Sequence, residues 1–116
     1  MDIKLLRKTE DGVERFELIG DVTANGWMQQ SADLFVKVYG EDVYKQRVMV
    51  SMCKTGHVDS TGIEWLLNCH RKFEQQGGKM VLHNLTLATQ KLFHMMRMHL
   101  VLNIAANEES AKSLLV

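Results

Sequence analysis

The sequence predicts an α/β fold: a mixed sheet of four or five strands with an N-terminal β-hairpin and about four helices packed mainly on one side. Three observations carry this. Two short segments near the N-terminus show partial two-residue alternation and flank Asp11-Gly12, a pair suited to the positive φ angles of a tight hairpin turn. Two near-continuous apolar runs, Arg47–Cys53 and Lys79–Asn84, have the character of strands buried on both faces. Between and after them, apolar residues recur at three- and four-residue spacing, the period of a helix.

Taken in order, residues 3–8 and 13–19 form the hairpin, and Gly20-Asp21 ends its second strand. Trp27, Met28, Ala32, Leu34, Phe35 and Val38 give a helix from about Asn25 to Tyr39, with Thr23 or Asn25 as its cap. Gly40 breaks that pattern, and residues 41–46 read as a polar connection before the first apolar strand. A second helix runs from about Ser60 to Gln76 and stops at Gly77-Gly78, as left-handed glycine caps do. Its outward positions are Glu64, Asn68, Arg71 and Gln75, opposite Ile63, Leu66, Leu67 and Phe73, with Trp65 between the two sets. After the strand at 79–84, Thr86 caps a helix through about Arg97. Val101–Ile104 is a short edge strand and Glu108–Leu115 a last helix. Met95, Met96 and Met98 read as gap-filling core residues in preference to an adaptable docking surface.

Composition narrows the function classes. At 116 residues the chain fits one domain over 1–116, which buries roughly two-thirds of its unfolded surface. Fourteen Lys and Arg balance fourteen Asp and Glu, so no global field draws nucleic acid or an acidic membrane. No segment approaches the ~20 apolar residues of a bilayer span, so direct membrane insertion is not expected. Cys53 and Cys69 read as free thiols of a reducing compartment, which predicts a cytoplasmic protein. The five histidines make no H-x-x-x-H pair and neither cysteine sits in C-x-x-C, so no metal and no cofactor is expected. A G-x-S-x-G elbow is absent, and no catalytic residue is assigned: the chain is expected to be no enzyme.

The informative stretch is His57-Val58-Asp59-Ser60-Thr61-Gly62-Ile63, at the exit loop of a buried strand and the start of the long helix. With Asp59 as N-cap, Val58 and Ile63 occupy the positions of a hydrophobic staple. Ser60 is then the first helical residue, its hydroxyl free. Gly62 permits close approach of a neighbouring backbone or a docking protein. A phosphate on Ser60 would lie beside free N–H groups at the positive end of a helix dipole, so the fold should tolerate it. It would add about −1.5 to −2 charges next to Asp59. A capped helix start with no further role is the plainer reading of the same residues.

Asp59-Ser60-Thr61-Gly62-Ile63 followed by Leu66-Leu67 resembles the D-S-[S/T]-G-[L/I]…L-L motif of anti-sigma factor antagonists in the STAS family. Gln76-Gly77-Gly78-Lys79-Met80-Val81-Leu82 resembles that family's G-G-x-[ML]-V-[LV] strand, and Leu18-Ile19-Gly20-Asp21 its L-x-G-[ED] strand end. Thr86 through Leu92-Phe93 to Leu100 is similar to its next helix and the apolar segment beyond. The resemblance implies a regulatory binding protein with Ser60 as phosphoacceptor and Thr61 as the secondary hydroxyl. Its switch loop would comprise His57, Val58, Asp59 and Gly62, and its partner-binding surface Thr23, Asn25, Glu64 and Asn68. The implied partner is an anti-sigma factor that is also a serine kinase, captured by the unphosphorylated form so that a sigma factor is released. A serine phosphatase would act on the phosphorylated form, and a homodimer is left open. The alternative is a constitutive STAS subunit of a lipid-transport ABC complex or a stress-signalling scaffold. The sequence departs from the family pattern at Thr23, Ser51, His57 and Leu87, where Asp, Asp or Asn, Phe and Pro are usual.

Overall fold

The computed structural model describes residues 2–6, 12–23 and 33–115. Its strands are β1 (Asp2–Leu5), β2 (Val13–Val22), β3 (Arg47–Val58), β4 (Lys79–His83) and β5 (Asn103–Ala105). Its described helices are α1 (Leu34–Tyr39), α2 (Ser60–Gln76), α3 (Leu87–Met95) and α4 (Glu108–Leu115). The strands form one sheet in the order β1-β2-β3-β4-β5. β1 and β2 are antiparallel, with Asp2 opposite Ile19 and Leu5 opposite Phe16. The other three pairs are parallel. The hairpin and the mixed sheet are therefore as the sequence predicts. Gly12 has the expected positive φ, 76°, while residues 7–11 lie outside the described residues.

The two-faced burial of β3 follows from its central place. Val48, Val50 and Met52 enter the main core with Phe16, Phe35, Leu66, Phe73 and Phe93. Met49 points the other way, into a smaller cluster with Val13, Val81, Ala111 and Leu115. α1, α2 and α3 cover the first face and α4 the second, because alternate side chains of a strand leave opposite sides of the sheet.

The predicted helix from Asn25 to Tyr39 does not run through Asp33, which is extended (φ −63°, ψ 121°) and caps α1 instead. Residues 25–32 lie outside the described residues, and Thr23 is a bend after β2. The competing influence is tertiary. The Asp33 carboxylate accepts N–H bonds from Phe35 and Val36 at 3.0 and 3.3 Å. It also accepts from the Tyr44 hydroxyl and, at 3.1 Å, from Lys72 Nζ on α2. Residues 41–45, read as a polar connection, form a 3-10 turn that buries Val43 and Tyr44. At the other end of the chain, α3 stops at Met95, Arg97 is left-handed (φ 59°), and Met98–Leu100 is a second 3-10 turn. Pairing with β4 then places β5 at Asn103–Ala105 rather than Val101–Ile104. Met95 and Met96 are exposed, and of the three methionines only Met98 packs against the core.

Asp33 also makes a pH prediction. Burial pushes its carboxyl up, but the bonds from Tyr44, Lys72 and the Val36 N–H outweigh that and leave it below the ordinary value of 3.8. On acidification the unfolded chain therefore binds this proton first, so the stabilisation is present above pH 3.8 and is lost as pH falls through the folded value. Asn at this position keeps the cap but has no carboxyl to titrate. Urea melts between pH 5.5 and pH 3 should fall less steeply for Asp33→Asn than for the wild type; parallel slopes would refute the assignment.

Candidate functional site: the β3–α2 junction

β2 and β3 stay paired to their C-terminal ends, with Gly20 opposite Thr55 and Val22 opposite Val58. The expected exit loop is therefore strand: β3 continues past Cys53 to Val58. The reason is non-local. The His57 N–H donates to Asp21 Oδ1 across the strands at 2.8 Å, and a Cβ at Gly56 would lie 2.4 Å from that oxygen. Asp21 read in sequence only as a strand end, and nothing local marks it as the residue that holds Gly56-His57 in place.

Asp59 stands alone between strand and helix, extended at φ −116° and ψ −175°. Its Oδ1 accepts the Thr61 hydroxyl at 2.6 Å and the Gly62 N–H at 3.0 Å. Its carbonyl accepts the Ile63 N–H at 3.0 Å. The Thr61 hydroxyl first, and then the Gly62 N–H, hold the Asp59 carboxyl below its ordinary value, so it is charged at neutral pH. Val58 and Ile63, either side of the cap, are 5% and 2% exposed and join the main core. That anchors the helix start from below, as a staple requires.

Gly62 has one role that a side chain would destroy. A Cβ there would sit 1.8 Å from the Val22 carbonyl oxygen and 2.6 Å from its carbon. The close neighbour is thus β2's backbone, and Gly62 itself is buried.

These contacts sort the hydroxyls. Thr61 is half-buried and committed to Asp59. Ser60 is exposed at the first position of α2, and its hydroxyl makes no hydrogen bond among the described residues. His57, Glu64 and Asn68 are exposed nearby in the chain, Thr23 is half-buried, and Asn25 lies outside the described residues. Along α2, Glu64, Asn68, Arg71 and Gln75 all face solvent as their spacing predicts. Trp65 is half-buried, stacked on Phe35 with centroids 6.2 Å apart.

One feature of the site has no sequence signal. A cleft of about 210 Å³ separates Gly56, His57 and Val58 from Ala88, Thr89 and Leu92 of α3. Only the fold brings these two stretches together. Among the described residues no group of three or more His, Cys, Asp or Glu could hold a metal ion, and no helix is long and apolar enough to cross a membrane.

The fold has solved counterparts. A candidate anti-sigma factor antagonist from Thermotoga maritima superposes with a TM-score of 0.70 at 13% identity, covering 96% of this chain and 93% of that one. The anti-sigma factor antagonist SpoIIAA in its unphosphorylated form gives 0.61 at 20% identity, covering 96% and 94%. At these identities the likeness is one of fold. Sequence comparison with curated proteins gives no match. The STAS domain model, however, matches residues 7–111, a span that runs from the hairpin through the β3–α2 junction to α4. By that match the chain belongs to the STAS domain family.

Proposed function

We propose that this chain is an anti-sigma factor antagonist whose Ser60 is a phosphoacceptor. In its unphosphorylated form it sequesters an anti-sigma factor that is also a serine kinase and so frees a sigma factor. A serine phosphatase restores that form. The observation that carries the reading is the exposed Ser60 hydroxyl at the first position of α2, which makes no hydrogen bond among the described residues, beside an Asp59 already occupied as the cap.

The arrangement separates binding from folding. A phosphate on Ser60 lies at the positive end of α2, where anions are favourable. No core contact has to break, because Ser60 contributes none. The added charge acts outward instead. Next to the ionised Asp59 it repels acidic groups and burdens any partner surface that must desolvate it, by about 2–4 kcal/mol if the contact is dry. The exposed His57, Glu64 and Asn68 complete the surface on which such a partner rests.

The test uses phosphopeptide mass spectrometry on protein from its native host, together with native pull-downs using Ser60→Ala and Ser60→Asp baits. The expected result is a Ser60 phosphate that varies with stress, and a soluble kinase retained by Ser60→Ala but weakened about 30- to 1,000-fold by Ser60→Asp. Thermal melts of the two variants should match the wild type. Equal retention by both baits would overturn gating. No phosphate under any condition, with a membrane ATPase retained instead, would favour a constitutive subunit.

A further inference from the structure

α3 has an apolar side that stands exposed among the described residues. Its inner side supplies buried Thr89 and Phe93, whereas Leu87, Lys91, His94 and Met95 follow one another at helical spacing on the other side. Leu87 is 66% exposed, Met95 75%, and Leu100 in the following turn 72%. Beside them lies a shallow, open depression of about 510 Å³ lined by Leu87, Gln90, Lys91, His94 and Met95, all on α3. The His94 and His99 rings stack with centroids 4.6 Å apart, which ties the helix end to the turn that carries Leu100. Exposed apolar surface of this kind on a small soluble domain marks an interaction site.

Charge narrows the occupant. From Gln75 through Asn107 the sequence contains no Asp or Glu, Lys91 lines the patch, and Arg97, two residues beyond Met95 in the chain, is exposed. A second copy packed about a two-fold axis would set this basic face against itself. A lipid surface is recognised by clusters of about four to eight cations, more than Lys91 and Arg97 supply. A protein segment with one apolar anchor side chain and flanking carboxylates satisfies both features.

We infer that the outer face of α3 docks a short acidic, amphipathic segment of a partner protein. An apolar side chain of that segment packs on Leu87 and Met95, and its carboxylates meet Lys91 and Arg97. The mode is a helix or extended segment laid along the exposed side of α3, with Met95 as an adaptable contact. This surface does not depend on the role of Ser60.

The experiment places the photo-crosslinking residue benzoylphenylalanine at Met95, with the same residue at exposed Gln75 on α2 as the control, in the full chain in its native host. Crosslinked peptides are then sequenced by mass spectrometry. The expected adduct from Met95 maps to a protein segment in which Asp or Glu flank an apolar residue. Its yield should fall at least about 10-fold with Lys91→Glu, and likewise with Leu87→Ser, while thermal melts stay at the wild-type midpoint. Adducts only to lipid, to a second copy of this chain, or to a segment without carboxylates would overturn the inference. So would a yield insensitive to Lys91→Glu, or one no higher than that from Gln75.

Discussion

Gly62→Ala is expected to destabilise the protein by about 3 kcal/mol, the upper end of the usual range for overpacking. A Cβ at Gly62 would lie 1.8 Å from the Val22 carbonyl oxygen. That oxygen belongs to a paired strand, with Val22 opposite Val58, so it cannot swing aside like the end of a flexible side chain. The start of α2 has to move away from β2. The movement strains the Gly62 N–H bond to Asp59 and the Asp59 N–H bond to Val22, and it withdraws Ile63 from the core. Intrinsic helix propensity favours Ala over Gly by about 1 kcal/mol, so propensity and packing predict opposite signs. Urea unfolding decides between them. A midpoint at or above that of the wild type would mean that the helix does not touch β2 as described.

Phe35→Ala should be as damaging, at about 3–5 kcal/mol. Phe35 is fully buried on α1 and makes ring contacts to four aromatics from other parts of the chain. Its centroid lies 5.2 Å from Phe16, 5.5 Å from Phe73, 6.2 Å from Trp65 and 6.3 Å from Tyr44. α1 spans only Leu34–Tyr39, too short to persist without packing. Truncation therefore removes both the hydrophobic area and the anchor that keeps α1 on the sheet. Trp65 lies at the rim of the same cluster and is only half-buried, so Trp65→Phe should cost well under half as much. Equilibrium urea melts of the two variants give the comparison. Similar losses for both would show that Phe35 is not the centre of the cluster.

The two sites were legible in the sequence to different degrees. The Asp59 cap, the free Ser60 and the buried Val58 and Ile63 all follow from one local register, because capping depends on residues within one turn of the helix start. The close approach at Gly62 was legible as a need for space, but not as contact with Val22. Asp21 was invisible: its bond to His57 crosses between strands far apart in sequence, and an aspartate after a glycine reads simply as a strand end. Met95, Met96 and Met98 read as core because apolar residues at helical spacing usually face inward. The exposure of Met95 and Met96 depends on where α3 stops and the chain turns at Arg97.

The amino-acid order by itself determined the hairpin, the two-faced burial of β3, the outward face of α2 and the cap that presents Ser60. Each rests on period, turn chemistry or a local hydrogen bond, and these act over a few residues. Only the tertiary structure decided that β3 runs on to Val58, that α1 begins at Leu34 after an extended Asp33, and that the chain from Val58 lies across a cleft from α3. Those outcomes depend on strand pairing, on a carboxylate shared between Tyr44 and Lys72, and on packing across the sheet. Such contacts join residues whose spacing in the sequence carries no signal of their meeting.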